Sequence, residues 1–178
     1  MIEIEVKIKI YNIKDITEKI SSRGTKLEKE RYFEENTLYD FSSQNLYQCC
    51  QALRLRKINK KNYLTFKGSP LKSRKFKVRE EYETEVKNEK QIKNILKSLG
   101  LIPMFKYDKY RTVYRKRDLK ICIDETSIGN FLELEGDQNK ISKFAKSLGF
   151  SKDKYIKQDY VQLIKNEKLK GKSKIRKT

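Results

Sequence analysis

Ile2-Glu3-Ile4-Glu5-Val6-Lys7-Ile8-Lys9-Ile10 alternates between apolar and charged residues without a break. A period of two is that of a β-strand, so Ile2, Ile4 and Val6 share one face while Glu3, Glu5 and Lys7 share the other. A single charged strand face needs no explanation beyond solvent. The alternation, however, recurs over residues 52–57, 63–67, 75–86, 107–115, 119–124 and 130–135. Its charged faces group Arg54 with Arg56, Thr65 with Lys67, and Arg79 with Glu81, Glu83 and Glu85. They also group Lys109 with Arg111, Lys120 with Cys122 and Asp124, and Glu133 with Glu135. The opposite faces offer Leu53 and Leu55, then Leu132 and Leu134, as core.

Three helix signals interrupt the strands. Asn88, with Gln91 three residues on, precedes the stripe Ile92, Ile95, Leu96 and Leu99 and the stop Gly100. Asp137 similarly precedes Ile141, Phe144, Ala145, Leu148 and Gly149, and a less clean helix starts at Asn12 or Asp15, carries Ile16 and Ile20 and stops at Gly24. Each follows a strand with spaced glutamates. The near-identical ends Lys97-Ser98-Leu99-Gly100-Leu101 and Lys146-Ser147-Leu148-Gly149-Phe150 suggest a divergent repeat of the two later units, with the first unit a weaker third copy.

Strands linked by helices also occur in parallel α/β sheets, but strands buried on both faces read as nearly continuous apolar runs. These strands do not. The expected fold is α+β: a closed antiparallel β-barrel whose charged faces point into the lumen and whose apolar faces pack against helices outside. Charges enclosed in this way cost several kcal/mol each unless they are paired, hydrated or met by a ligand.

The bulk composition narrows what that ligand can be. With 178 residues the chain suits one full-sized domain. No histidine is present, which excludes His-based acid–base chemistry, Ser/His/Asp triads and the usual zinc sites. Cys49, Cys50 and Cys122 form neither a disulfide framework nor a paired metal spacing, and Cys122 reads as a small barrel or core residue. Any metal must therefore sit among oxygens, which points to Mg²⁺ or Mn²⁺. The charged amino terminus and the lack of a long apolar run lead us to expect a cytoplasmic protein. A formal net charge of +19 suggests nucleic acid, yet much of the excess lies on helix faces and in residues 165–178, where seven basic residues face one Glu167. We expect that segment to be a flexible basic tail after a domain spanning residues 1–164. Nucleic acid could bind there, but nothing requires it. A lumen with both Arg/Lys and carboxylates fits a polyanion gripped by guanidinium and ammonium groups and bridged to the acids by divalent metal, as a triphosphate would be.

Glu3-Ile4-Glu5-Val6-Lys7 resembles the Glu-x-Glu-x-Lys signature that opens CYTH proteins, the triphosphate tunnel metalloenzymes. Family-like elements follow in order: Asn36-Thr37-Leu38-Tyr39-Asp40, Ala52-Leu53-Arg54-Leu55-Arg56, Leu64-Thr65-Phe66-Lys67-Gly68, Arg79-Glu80-Glu81-Tyr82-Glu83, Lys109-Tyr110-Arg111, Asp124-Glu125-Thr126 and Phe131-Leu132-Glu133-Leu134-Glu135. The resemblance implies that Glu3, Glu5, Glu133 and Glu135 bind metal, with Asp124 an additional ligand or a group behind the ligands. It implies a triphosphate clamp of Lys7, Arg54, Arg56, Lys67, Lys109 and Arg111. Lys7, Glu81 and Glu83 are the catalytic candidates, with metal binding, pairing to Arg and ordering of water all open for the two glutamates. Lys157, Gln158 and Tyr160 resemble the family's closing segment, which in some members plugs one tunnel end. The family includes class IV adenylate cyclases, thiamine triphosphatases and inorganic triphosphatases. We expect a metal-dependent triphosphatase acting on tripolyphosphate, a nucleoside triphosphate such as ATP, or thiamine triphosphate, because hydrolysis needs fewer base and ribose contacts. The alternatives are a cyclase making cyclic AMP and pyrophosphate, and a non-catalytic binder of triphosphate or of an RNA 5′ end.

Overall fold

The structure, a computed structural model, describes residues 1–175, with side chains placed as far as Leu169. In chain order the elements are β1 (Ile2–Ile10), α1 (Ile13–Ser21), β2 (Lys26–Asp40), α2 (Asn45–Gln48), β3 (Ala52–Ile58) and β4 (Lys61–Lys67), then β5 (Lys77–Val86), α3 (Glu89–Ser98), β6 (Ile102–Lys116), β7 (Leu119–Thr126), β8 (Gly129–Glu135), α4 (Gln138–Ser147), a 3-10 turn (Lys152–Lys154) and α5 (Tyr160–Ile175). The strands close into a barrel in the order β1-β5-β4-β3-β2-β6-β7-β8, and every pairing is antiparallel.

Exchanging β1–β4 with β5–β8 leaves that ring order unchanged. The two halves also match in element length, with β2 and β6 both 15 residues long and α1 and α3 of 9 and 10 residues. The topological repeat therefore equates α1 with α3. The Lys-Ser-Leu-Gly echo joins α3 to α4 instead, and reflects a shared helix stop rather than the architecture. Gly100 and Gly149 both take left-handed φ, +83° and +91°, which only glycine adopts without steric cost. The helix starts are capped as expected: Asn88 accepts from the Gln91 N–H, Asp137 from the Asn139 and Lys140 N–H groups, and Asn12 from the Asp15 N–H.

Alternation resolves into two environments. Val6, Ile8 and Ile10 of β1, Ile121 and Ile123 of β7, and Leu132 and Leu134 of β8 turn outward and pack with Ile16 and Ile20 of α1 and Ile141, Phe144, Ala145 and Leu148 of α4. Leu55 of β3 joins Tyr39, Leu96 of α3 and Leu101 in a second cluster. Arg54 and Arg56, on the opposite pleat, line the interior. The eighth strand, β2, escapes the alternation rule. Its first half, Lys26-Leu27-Glu28-Lys29-Glu30-Arg31, is mostly charged, and its pairing with β6 shifts register between Leu27 and Lys29 and again between Lys29 and Tyr32. Its ladder to β6, with Phe33 packed on Tyr110 at 5.0 Å between ring centroids, holds it as a strand.

Helix α5 continues through residues 164 and 165, with Tyr160, Val161 and Ile164 buried in its first turns. Residues 176–178 of the expected tail lie outside the described residues. Among the described residues no helix is long and apolar enough to cross a membrane.

The pleat assignment makes a simple test. Leu134→Ala, at a fully buried outward position, should lower the unfolding free energy by about 2–5 kcal/mol in urea denaturation, whereas exposed Lys57→Ala should stay within about 0.5 kcal/mol of wild type.

Candidate functional site

The barrel encloses a cavity of about 450 Å³ lined by eight basic and seven acidic side chains. Strand pairing sets who meets whom: Glu3 lies opposite Arg79, Glu5 opposite Glu135, and Lys7 opposite Glu133. The near balance of charge is what permits such a lining, since each buried ion needs an opposite partner in place of water.

Lys7 is the central link. Its ammonium group donates to Glu5 at 2.9 Å and stands 3.2 Å from Glu133. Burial alone would depress the Lys7 pKa, but Glu133 and Glu5 outweigh it and hold the group well above the ordinary lysine range. Burial likewise acts to raise Glu133, yet Lys7, Arg111 and Lys109 keep that carboxyl well below its usual range. Glu5 is also held low, with Lys7 overcoming burial and the repulsion of Glu133 and Glu3. Lys7 is therefore a fixed positive charge rather than a base. Glu3 is pinned by Lys67 at 2.8 Å and by Arg79 at 3.3 Å. Lys67 also meets Glu81 at 2.7 Å, and Glu83 accepts from the Thr65 hydroxyl at 2.6 Å with Arg54 3.5 Å away. Glu135, nearer solvent, pairs with Lys120 at 2.9 Å.

Asp124 is fully buried and does not line the cavity. Arg111 grips it through two bonds of 2.6 Å, Lys109 donates to it at 2.8 Å and the Tyr160 hydroxyl at 2.5 Å. Fully buried and off the cavity lining, it fits the position behind the ligands better than that of a metal ligand. It ties β6 and β7 to α5. Tyr160 in turn lies beneath the ammonium groups of Lys7 and Lys109, 5.3 and 4.8 Å from its ring centre, and packs edge-on to Phe131.

Several site residues receive no role from the sequence. Parity groups Arg79 with Glu81, Glu83 and Glu85 but assigns it none, and it holds Glu3 at 3.3 Å. Lys77, two residues earlier and 3.3 Å from Asp159, is pushed down to about 8 by burial and the neighbouring Arg79. Glu34 and Asn36 face inward from β2, whose irregular first half hid the strand. Glu34 stands 3.7 Å from Arg56 and 3.6 Å from Lys109, and Asn36 accepts a 3.3 Å bond from Arg56.

Among the described residues no three side chains stand as a ready metal cage. Glu3, Glu5 and Glu133 are each satisfied by a cation instead. Their chemistry nevertheless fits a hard divalent ion: the donors are carboxylate oxygens, and Glu5 and Glu133, which share Lys7, are held ionised by it. The Asp124 network gives a stability test. Asp124→Asn leaves Arg111 and Lys109 short of a buried counter-charge and should cost about 3–5 kcal/mol in chemical denaturation, against less than about 1 kcal/mol for Glu135→Gln at the partly exposed end.

Comparison with known proteins agrees with this architecture. The CYTH domain family matches residues 1–178. A candidate adenylate cyclase of Methanocaldococcus jannaschii is 31% identical over 174 residues, covering 92% of this chain and 98% of the relative. Among solved structures, a candidate adenylate cyclase from Vibrio parahaemolyticus superposes with a TM-score of 0.81 at 18% identity, over 93% of this chain and 98% of its own. A candidate adenylyl cyclase from Hippeastrum, described as revealing a dominant triphosphatase activity, superposes with a TM-score of 0.69 at 19% identity, over 93% of this chain and 96% of its own. A barrel with this strand order and charged lumen, matched along its whole length, places the chain in the CYTH family.

Proposed function

We propose that the chain is a divalent-metal-dependent triphosphatase. The observation that carries the reading is a lumen that brings a cation cluster together with paired carboxylates: Arg54, Arg56, Lys109 and Arg111 converge from β3 and β6, while Glu5 and Glu133 flank Lys7 and Glu3 is held by Lys67 and Arg79. Phosphoryl transfer asks the protein mainly for positioning and charge neutralisation, and this arrangement offers both. Glu3, Glu5 and Glu133, with Glu135 nearer solvent, would hold Mg²⁺ or Mn²⁺, which supplies further neutralisation of the phosphate oxygens when bound. The guanidinium groups grip non-bridging oxygens in pairs. Lys7, locked in its charged form, adds a fixed positive charge beside the acids. Glu81 and Glu83, both held ionised against burial by neighbouring cations and hydrogen bonds, are the groups available to orient water as acceptors.

A second reading, adenylate cyclase, is favoured by the name of the archaeal relative and by one local feature. Leu38, Ala52, Tyr107 and Val161 add apolar surface to a largely charged cavity, and such surface suits a nucleobase better than a phosphate. Incubation with ATP and with tripolyphosphate, each with Mg²⁺ or Mn²⁺, separates the readings by product. Phosphate from both substrates supports the triphosphatase, cyclic AMP with pyrophosphate from ATP supports the cyclase, and no turnover of either leaves a binder. Activity should vanish in excess EDTA and return on adding Mg²⁺ or Mn²⁺; full turnover in EDTA would remove metal from the account.

Arg56→Lys keeps the charge but loses the planar fork, and should lower kcat/KM by on the order of tenfold or more, the equivalent of one charge-assisted contact. Lys57→Ala, one residue on and outside the barrel, should change kcat/KM less than about twofold. Equal losses from the two variants would reverse the assignment of the β3 faces.

A further inference from the structure

Four of the five buried polar side-chain atoms left without a hydrogen-bond partner among the described residues lie together on β2 and β3: both carboxylate oxygens of Glu34, the Asn36 Nδ2 and the Arg54 Nε. Glu34 is the anomaly. It is fully buried, yet unlike Asp124 it accepts no hydrogen bond, although Arg56 and Lys109 approach to 3.7 and 3.6 Å. A buried carboxylate normally binds its cations closely, because leaving its lone pairs unmet is costly. Here the nearest cations stay just beyond bonding distance, and all of the basic groups that depress the Glu34 pKa against burial, Lys109, Arg56, Arg111 and Arg54, belong to the expected phosphate clamp.

We propose that Glu34 is a positioning residue that acts as a built-in counter-anion of the phosphate clamp, holding these cations in place without occupying their hydrogen-bonding capacity and competing electrostatically with the bound polyphosphate. The contrast with Asp124 gives the reason. Asp124 consumes donors of Arg111 and Lys109 and so fixes them, whereas Glu34 leaves donors free to turn toward phosphate. Its charge lies on the same cations that a phosphate must approach, so it weakens polyphosphate binding and speeds the departure of a polyphosphate product. This inference rests on the triphosphate reading of the lumen and adds a determinant of affinity to it.

The sign of the effect is diagnostic. A residue that merely supported the fold would weaken binding when altered, whereas loss of a competing charge strengthens it. Calorimetric titration with tripolyphosphate in EDTA, without turnover, should show Glu34→Gln binding on the order of tenfold more tightly than wild type, while Glu34→Asp, which keeps the charge, stays within a few-fold. Glu34→Ala removes the charge without stranding an amide. If either neutral variant is less stable, the tripolyphosphate-induced rise above its own melting temperature should still exceed that of wild type. Inhibition of turnover by pyrophosphate should strengthen in the same order. Weaker or unchanged tripolyphosphate binding in both neutral variants, with wild type binding normally, overturns the role of Glu34 alone. Wild-type protein that binds no tripolyphosphate overturns the triphosphate reading and this inference with it.

Discussion

The ammonium group of Lys7, held between Glu5 and Glu133 inside a closed barrel, is the interaction on which the rest of the structure depends. Closing eight strands with their apolar faces outward forces their charged faces together around one cavity. Repulsion among the acids of β1 and β8 would oppose closure, and repulsion among the bases of β3 and β6 would do the same. Cross-strand pairing relieves both: Lys7 between two glutamates, Arg79 and Lys67 on Glu3, Arg111 and Lys109 on Asp124. The hydrophobic clusters outside the barrel supply the stabilisation, and the ion pairs make the interior tolerable.

The same pairing readies the interior for exchange. Lys7, Arg54, Lys67, Arg79, Lys109 and Arg111 are already buried and positioned, so a polyanion bound as proposed would meet groups that need not shed much water or lose much side-chain freedom. In the proposed function, acids released from their cations by incoming phosphates would be free to take up divalent metal. Asp124 stands apart from this exchange. Buried on the inward face of β7 and joined to Tyr160, it couples the geometry of Arg111 and Lys109 to the seating of α5.

Much of this was legible in the sequence because the period of two is a strong signal wherever it is unbroken. Glu3, Glu5 and Lys7, Arg54 and Arg56, Lys109 and Arg111, and Glu133 and Glu135 all sit on strands that alternate cleanly, and all line the cavity. The signal failed where tertiary pairing rather than local pattern makes the strand. β2 carries register shifts against β6 and a charged first half, so Glu34 and Asn36 were invisible as lumen residues. Charge type also says less than geometry: nothing local distinguishes Asp124, locked by four hydrogen bonds, from Glu133, which faces the cavity. The Lys-rich end of the chain read as a tail because its anchor, Tyr160 with Val161 and Ile164, precedes the basic run. Which reaction the tunnel performs is less legible still, since hydrolysis and cyclisation ask for the same clamp and differ in the nucleophile.

The central claim is that the inward charges of the barrel, and not the basic outer surface, receive the polyphosphate. A crystal structure of the protein grown with tripolyphosphate tests this most directly. The account predicts phosphate oxygens inside the barrel within hydrogen-bonding distance of Arg54, Arg56, Lys109 and Arg111, with the ion pairs of the lumen rearranged around them. Tripolyphosphate seated on the outer lysines, with the Lys7, Glu5 and Glu133 pairing and the rest of the lumen unchanged, would contradict it.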